Sequence, residues 1–381
     1  MRIAFYAPLK PPDHETPSGD RRVARLLLDA LRLAGREPAI ASRLRSFDPL
    51  GDELRQARIA ARARATAKRL IARWRARPEM APGLWFTYHL YYKAPDWLGP
   101  MVSAALGIPY VVAEASFAAK RAGGPWDIGH RAVEAALRHA DRVIGLNSAD
   151  REGVLPLLAH PERFVALAPF LDARAYAGAG TSPSPASGRG SGWGLPKSPP
   201  RLVTVAMMRP GDKLASYWAL GAALAKLLDL PWSLEVIGDG PAREAVGAAL
   251  APLGNRVRFA GALGDAAVAQ RLAAADLFVW PAINEAFGMA LLEAQASGLP
   301  VVAGNSGGVA DIVADGATGL LAPLGDADAF AQAVRALVAD PARRVALGTA
   351  ARDKIRRGHD LPIAATRLGE IVAALSRARA A

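Results

Sequence analysis

Pro281–Val302, PAINEAFGMALLEAQASGLPVV, is the stretch on which the reading of the chain turns. It follows an apolar run ending at Trp280 and carries a loop, a helix-compatible segment and the start of the next apolar run, Pro300–Ala303. A strand, a crossover helix and a second strand form the repeating unit of a parallel sheet. Upstream, the same alternation holds at Leu202–Ala206, Ser233–Ile237, Val257–Phe259 and Leu277–Trp280. It holds again in the first half, at Ile3–Tyr6, Ala39–Ala41, Leu84–Thr87, Tyr110–Ala113, Val143–Leu146 and Phe164–Ala168. Residues 176–200 between the halves are dense in Gly, Ser and Pro, a composition that cannot offset the entropy of a fixed fold, so they read as a linker or loop. The expected class is α/β: two Rossmann-like, doubly wound parallel-sheet domains, residues 1–175 and 201–360, facing across a cleft. A final helix, 361–381, crosses back to the N-terminal domain.

Composition narrows the function classes. The 381 residues are 51% hydrophobic and 22% charged, enough apolar mass for two buried cores. There is no cysteine, which excludes a disulfide scaffold, a thiolate metal site and a cysteine nucleophile. No uncharged apolar run approaches the ~18 residues of a spanning helix, and the N-terminus has no secretory apolar region, so a cytoplasmic protein is expected. The formal charge of +12 is lopsided: residues 1–175 carry 27 Lys and Arg against 18 acids. Much of the excess lies in Arg55–Arg77, which has nine cations and no acid. On a helix, Arg55, Arg58, Arg62, Arg69 and Arg73 form one stripe and Ile59, Ala63, Leu70 and Trp74 another. Such a helix suits an anionic membrane surface; it is equally a solvated domain helix, and no RNA-binding motif accompanies it.

The chemistry is concentrated at strand ends. With a helix starting near Phe287, the amides of Phe287, Gly288 and Met289 form an anion or polyol cradle. Glu285 precedes that helix and Glu293 lies eight residues on, roughly 12 Å along a helix. Two carboxylates at that separation suit a ligand with hydroxyls at both ends and phosphates between them. Arg209 and Lys213 follow the Leu202–Ala206 strand, where two cations neutralise a diphosphate. Gly238, Asp239 and Gly240 make a tight turn after the next strand, with Asp239 read as a turn residue and not a metal ligand.

The segment NEAFGMALLEAQASGLPVV resembles the Glu-x7-Glu signature of retaining family 4 glycosyltransferases, which have the GT-B fold. The resemblance is strong over residues 200–325 and covers 1–175 only in layout. It implies transfer of a hexose from a nucleotide diphosphate sugar to a lipid-linked or saccharide acceptor, with retention and no metal or other cofactor. Envelope or polysaccharide synthesis, beside the cytoplasmic membrane face, is the setting it suggests. Glu285 would then hold sugar hydroxyls, Phe287, Gly288 and Met289 the sugar and distal phosphate, and Glu293 the ribose diol. Lys213 and Arg209 would stabilise the leaving diphosphate, Asp239 and Gly240 would lie near the nucleotide, and Gly19 would open the first helix beneath the donor. Gly307 and Gly308 either close on the ligand or simply turn the chain. On the acceptor side, Tyr88, His89 and Lys93 lie on a strand-end loop. The family's histidine after the fourth strand is absent; Glu114 or Ser116 stands in its place, and His130 and His139 read as structural. A nucleotide-sugar epimerase or phosphorylase, or a non-catalytic saccharide-assembly protein, would share much of this pattern.

Overall fold

The structure is a computed structural model that describes residues 1–16, 18–177, 199–285 and 288–378. Most of the expected 176–200 linker, and Phe287, lie outside the described residues. The chain forms two compact units, one of Met1–Ala168 together with the chain from Leu361 on, the other of Pro169–Asp360.

The first unit runs β1 (Arg2–Tyr6), α1 (Gly19–Leu33), β2 (Glu37–Ser42), α2 (Glu53–Ala76), β3 (Leu84–Leu90) and α3 (Gly99–Leu106). It continues with β4 (Tyr110–Ala115), α4 (Asp127–His139), β5 (Arg142–Gly145), α5 (Arg151–Val154) and β6 (Phe164–Ala166). Its sheet has the order β2-β1-β3-β4-β5-β6, and every pairing is parallel. Helices on both faces explain why β4 is buried along its whole length and carries a near-continuous apolar run. Side chains set the helix starts: Ser18 Oγ accepts the Arg21 N–H at 3.2 Å, and Asp52 Oδ1 accepts the Arg55 N–H at 2.9 Å.

The second unit contains α6 (Arg174–Ala177), β7 (Arg201–Val205), α7 (Asp212–Ala225), β8 (Ser233–Ile237), α8 (Arg243–Leu250), β9 (Val257–Gly261) and α9 (Asp265–Ala274). Then follow β10 (Leu277–Trp280), α10 (Met289–Ala296), β11 (Val301–Gly304), α11 (Val309–Ile312), β12 (Gly319–Ala322), α12 (Ala327–Ala339) and α13 (Pro341–Gly358). The order is β12-β11-β10-β7-β8-β9, again all parallel. The edge strand β12 had no signature in the sequence: it is four residues long and starts at a glycine.

Residues 169–173 belong with the second unit because their backbone is tied to its end: the Leu171 N–H donates to the His359 carbonyl at 3.0 Å, and the Ala173 N–H to Asp360 Oδ1 at 3.0 Å. The last helix, α14 (Leu361–Ala378), packs on α1 of the first unit, where a Cβ on Gly369 would lie 3.3 Å from the Ala34 Cβ. Among the described residues no helix is long and apolar enough to cross a membrane. Two six-stranded parallel sheets, each flanked by helices, make a two-domain α/β architecture of the GT-B type.

Candidate functional site

In a doubly wound sheet the loops leaving two adjacent strands diverge where the strand order reverses, and ligands bind at that point outside the carboxyl ends. In the second unit the reversal lies between β7 and β10. The β7 loop leads to Lys213 in the first turn of α7, and the β10 loop carries Glu285. These two residues, 72 apart in sequence, meet: Lys213 Nζ donates to Glu285 Oε2. The Trp280 indole N–H donates to the same oxygen at 3.2 Å, and the ammonium lies 5.4 Å from the Trp280 ring centroid. Tyr217 packs edge-on against that ring at 5.1 Å. The indole thus fixes the carboxylate while its face receives the cation.

The β10 loop is held in an uncommon conformation. Ala282 and Asn284 have φ of 57° and 49°, in the left-handed region. The Ile283 N–H donates to Ser216 Oγ at 3.0 Å, and the Asn284 amide to Asp212 Oδ1 at 3.0 Å, so α7 clamps the loop. Gly288 has φ 70°, and a Cβ there would lie 3.1 Å from the Glu285 Cγ. That left-handed residue delays the helix: α10 begins at Met289, not near Phe287, and Gly288 supplies its first acceptor, the Leu291 N–H donating to the Gly288 carbonyl at 2.9 Å. Glu285 is therefore a loop residue paired with a cation, and the helical-rise separation expected between it and Glu293 does not apply. Glu293 is only 4% exposed within α10, so it is no solvated helix acid.

The Asp239 turn abuts the β7 loop. The Met208 N–H donates to the Asp239 carbonyl at 3.0 Å, and Cβ atoms on Gly238 and Gly240 would lie 2.0 Å and 2.3 Å from the Ala206 and Met208 carbonyl oxygens. Only glycine permits two strand-end loops to touch so closely. Asp239 itself is exposed, and its Oδ1 accepts the Gly240 N–H at 2.8 Å, as a turn residue does. Arg209 is exposed and makes no ion pair among the described residues, whereas Lys213 is engaged by Glu285.

The first unit has its own reversal, between β1 and β3. Asp20, in the first turn of α1, accepts from His89 Nδ1 at 2.9 Å, and His89 lies near the end of β3. Glu114, near the end of β4, is 7% exposed, and its Oε2 has no hydrogen-bond partner. His89 and Glu114 have φ of 61° and 58°, left-handed positions costly for such residues. Burial alone would push the His89 pKa down, but Glu114, Asp20 and Asp150 outweigh it and raise it to about 9, so the imidazole is a cation at neutral pH. Burial raises the Glu114 carboxyl above the usual range, with the His89 charge drawing it back. Asp20 resists the upward push of burial because His89 and Lys10 hold its carboxyl down.

Tyr88 departs from the expectation of a ring in a strand-end loop. It lies inside β3 at 1% exposure and cannot offer its face to a sugar. Lys93 is half-buried, with Nζ 4.5 Å from the Trp126 ring centroid. Gly19 opens α1, and a Cβ there would meet nothing within 4 Å among the described residues. His130 stacks on Phe117 at 4.5 Å, and His139 bonds Ser103 Oγ at 2.9 Å, both packing roles. Asp20, Trp280 and Asp212 escaped the sequence reading, although each stands at a strand end or in the first turn of a helix that follows one. On α2 the five arginines of the stripe are exposed, while Ala60, Ala63, Ala67, Leu70 and Trp74 are buried. Ile59 lies off that buried line, half exposed.

Residues 199–340, which hold the whole β7–β10 site, match the glycosyl transferases group 1 family. The D-inositol 3-phosphate glycosyltransferase of Kineococcus radiotolerans is 34% identical over 237 residues, 56% of this chain and 52% of that protein. The GDP-mannose-dependent monoacylated α-(1-6)-phosphatidylinositol monomannoside mannosyltransferase of Corynebacterium glutamicum is 34% identical over 146 residues, 36% of this chain and 38% of that one. The chain thus spans about half or less of the curated relatives it matches. Sucrose-phosphate synthase of Thermosynechococcus elongatus shares the fold from end to end, with a TM-score of 0.72 at 23% identity over 99% of both chains. The second unit thus matches the group 1 glycosyl transferases over residues 199–340, and the chain as a whole has the GT-B fold.

Proposed function

We propose that the protein transfers a hexose from a nucleotide diphosphate sugar to a lipid-linked or saccharide acceptor, with retention of configuration and without a metal ion. The observation that carries this reading is the Lys213–Glu285 pair at the β7–β10 reversal, inside the family match. A nucleotide diphosphate sugar brings two needs to one place: hydroxyls that a carboxylate accepts from, and a diphosphate whose charge grows as the anomeric C–O bond breaks. Glu285 meets the first need, while Lys213 and the exposed Arg209 meet the second. Before the donor arrives the lysine and the carboxylate satisfy each other, so neither charge is left uncompensated in a half-buried site. The acceptor oxygen bonds the anomeric carbon as the diphosphate leaves, and the acceptor proton passes to the departing oxygen. Retention rests on the family 4 resemblance of the Glu285–Glu293 segment. The relative from Corynebacterium is GDP-mannose-dependent and its acceptor carries acyl chains, which supports a nucleotide-sugar donor and a lipid-linked acceptor here. The exposed basic face of α2 supports work at an anionic membrane surface, in envelope or polysaccharide synthesis at the cytoplasmic side.

A thermal-shift panel of UDP-, GDP- and ADP-sugars tests the reading, because a ligand that binds the native state raises the melting temperature. One base is expected to raise it, and Glu285→Ala to diminish the shift. No shift with any donor removes the proposal; epimerised sugar from donor alone replaces it with the epimerase alternative.

A further inference from the structure

The loop after β2 and the first turns of α2 border an open hollow of about 360 Å³ lined by Arg45, Phe47, Arg55, Arg58, Ile59 and Arg62. Phe47 and Ile59 are half-buried, and the four arginines are exposed. Arg55, Arg58 and Arg62 stand three and then four residues apart, so the helix projects them from one face, where like charges repel. The compensation on hand is small. Among the described residues the one carboxylate paired with these arginines is Asp48, which reaches Arg55 at 3.7 Å. Asp48 is buried, and its oxygens already accept the N–H groups of Leu50, Gly51 and Asp52.

The hollow is built rather than incidental. The Ser46 N–H donates to the Pro8 carbonyl and the Asp48 N–H to the Lys93 carbonyl, each at 2.9 Å. The Trp126 indole donates to the Asp48 carbonyl at 2.8 Å. Gly51 lies so close to the α4 entry that a Cβ would fall 2.5 Å from the Pro125 Cβ. Arg45 is aimed by a bond from its Nε to the Leu9 carbonyl at 3.0 Å. Guanidinium groups present planar N–H forks that match phosphate oxygens, and several converging on one space favour a multiply charged anion over a carboxylate. On the same loop and the first turn of α2, Leu50 and Leu54 are 80% and 70% exposed, apolar surface that suits a bearer with a hydrocarbon part.

We infer that this hollow binds a phosphoryl group, carried either by a lipid headgroup or by a free phosphorylated acceptor. The inference rests on the transferase reading only in taking the bearer for an acceptor; the binding stands without it. Full-length protein is titrated with glycerol phosphate and, separately, sedimented with vesicles of phosphatidylcholine with and without phosphatidylglycerol. The double variant R58Q/R62Q is compared with R69Q/R73Q, which removes the same charge from the far half of α2, and melting curves confirm that both fold. R58Q/R62Q is expected to weaken binding at least about tenfold and R69Q/R73Q less than about twofold. Vesicle binding that glycerol phosphate competes away identifies the lipid source; glycerol phosphate binding without vesicle binding identifies the free acceptor. Equal losses from the two pairs, or no binding of either probe, overturn the hollow even where nucleotide sugars still shift the melting temperature. Phosphate binding without any nucleotide-sugar shift overturns the transferase reading and leaves the hollow standing.

Discussion

The two sheets place a charged pair at the same topological position and surround it differently. At the reversal of the second unit, Lys213 and Glu285 meet, and glycines of the turn after β8 let its backbone touch the β7 loop. At the reversal of the first, Asp20 and His89 meet beside a buried glutamate with a free oxygen, on residues forced to positive φ. One pair is half-open and ready to exchange partners. The other is a cluster of charges contributed from the ends of two strands and the first turn of α1, where the environment sets the protonation state. The difference teaches that strand order decides where charges converge, while the local packing decides whether they act as ligands or as a titrating unit.

The sharpest break is Lys213→Ala. On the proposed function, loss of this cation is expected to lower the transfer rate by about 10²–10³-fold with little change in melting temperature. A rate within a few-fold of wild type in a coupled nucleotide-release assay would make the second pair structural. Gly238→Ala attacks the loop contact instead. Its Cβ would fall 2.0 Å from a backbone oxygen at φ 141°, so a stability loss of about 2–4 kcal/mol in urea is expected.

The first pair is tested by pH. His89 has its pKa raised from 6.5 to about 9, so its contribution, on the order of 3 kcal/mol, is complete below pH 6.5 and is lost as pH rises through about 9. Asp20→Asn should flatten that alkaline loss and bring the His89 titration, followed by NMR, back toward neutral pH. An unchanged titration would mean that Glu114 and Asp150 hold the charge without Asp20. The smallest effect is expected from Gly19→Ala. With nothing within 4 Å of the new Cβ and a better helix former in the first turn of α1, stability should rise by up to about 0.5 kcal/mol. A fall in transfer rate in that stable variant would show that a ligand uses the open space.

Much of this architecture is legible in the amino-acid sequence. The alternation of apolar runs and helical periods located eleven of the strands now seen, and the Glu285–Glu293 segment with Lys213 marked the two loops that meet at the β7–β10 reversal. Where the reading fell short, the cause was a neighbour distant in sequence. The start of α10 moved because Gly288 adopts a left-handed conformation beside Glu285. Tyr88 proved buried because β3 runs on through Leu90 between β1 and β4. Asp20 was passed over because nothing beside it in the chain signals a histidine 69 residues away.

The class, the order of elements and the chemistry available at each strand end follow from the amino-acid order, because period, turn residues and capping are local properties of the chain. Which of those groups pair, which are buried and which titrate depends on the folded arrangement. Electrostatic interaction depends on distance through space and on the surrounding dielectric, and both are set when the sheet brings β7 beside β10 and β1 beside β3.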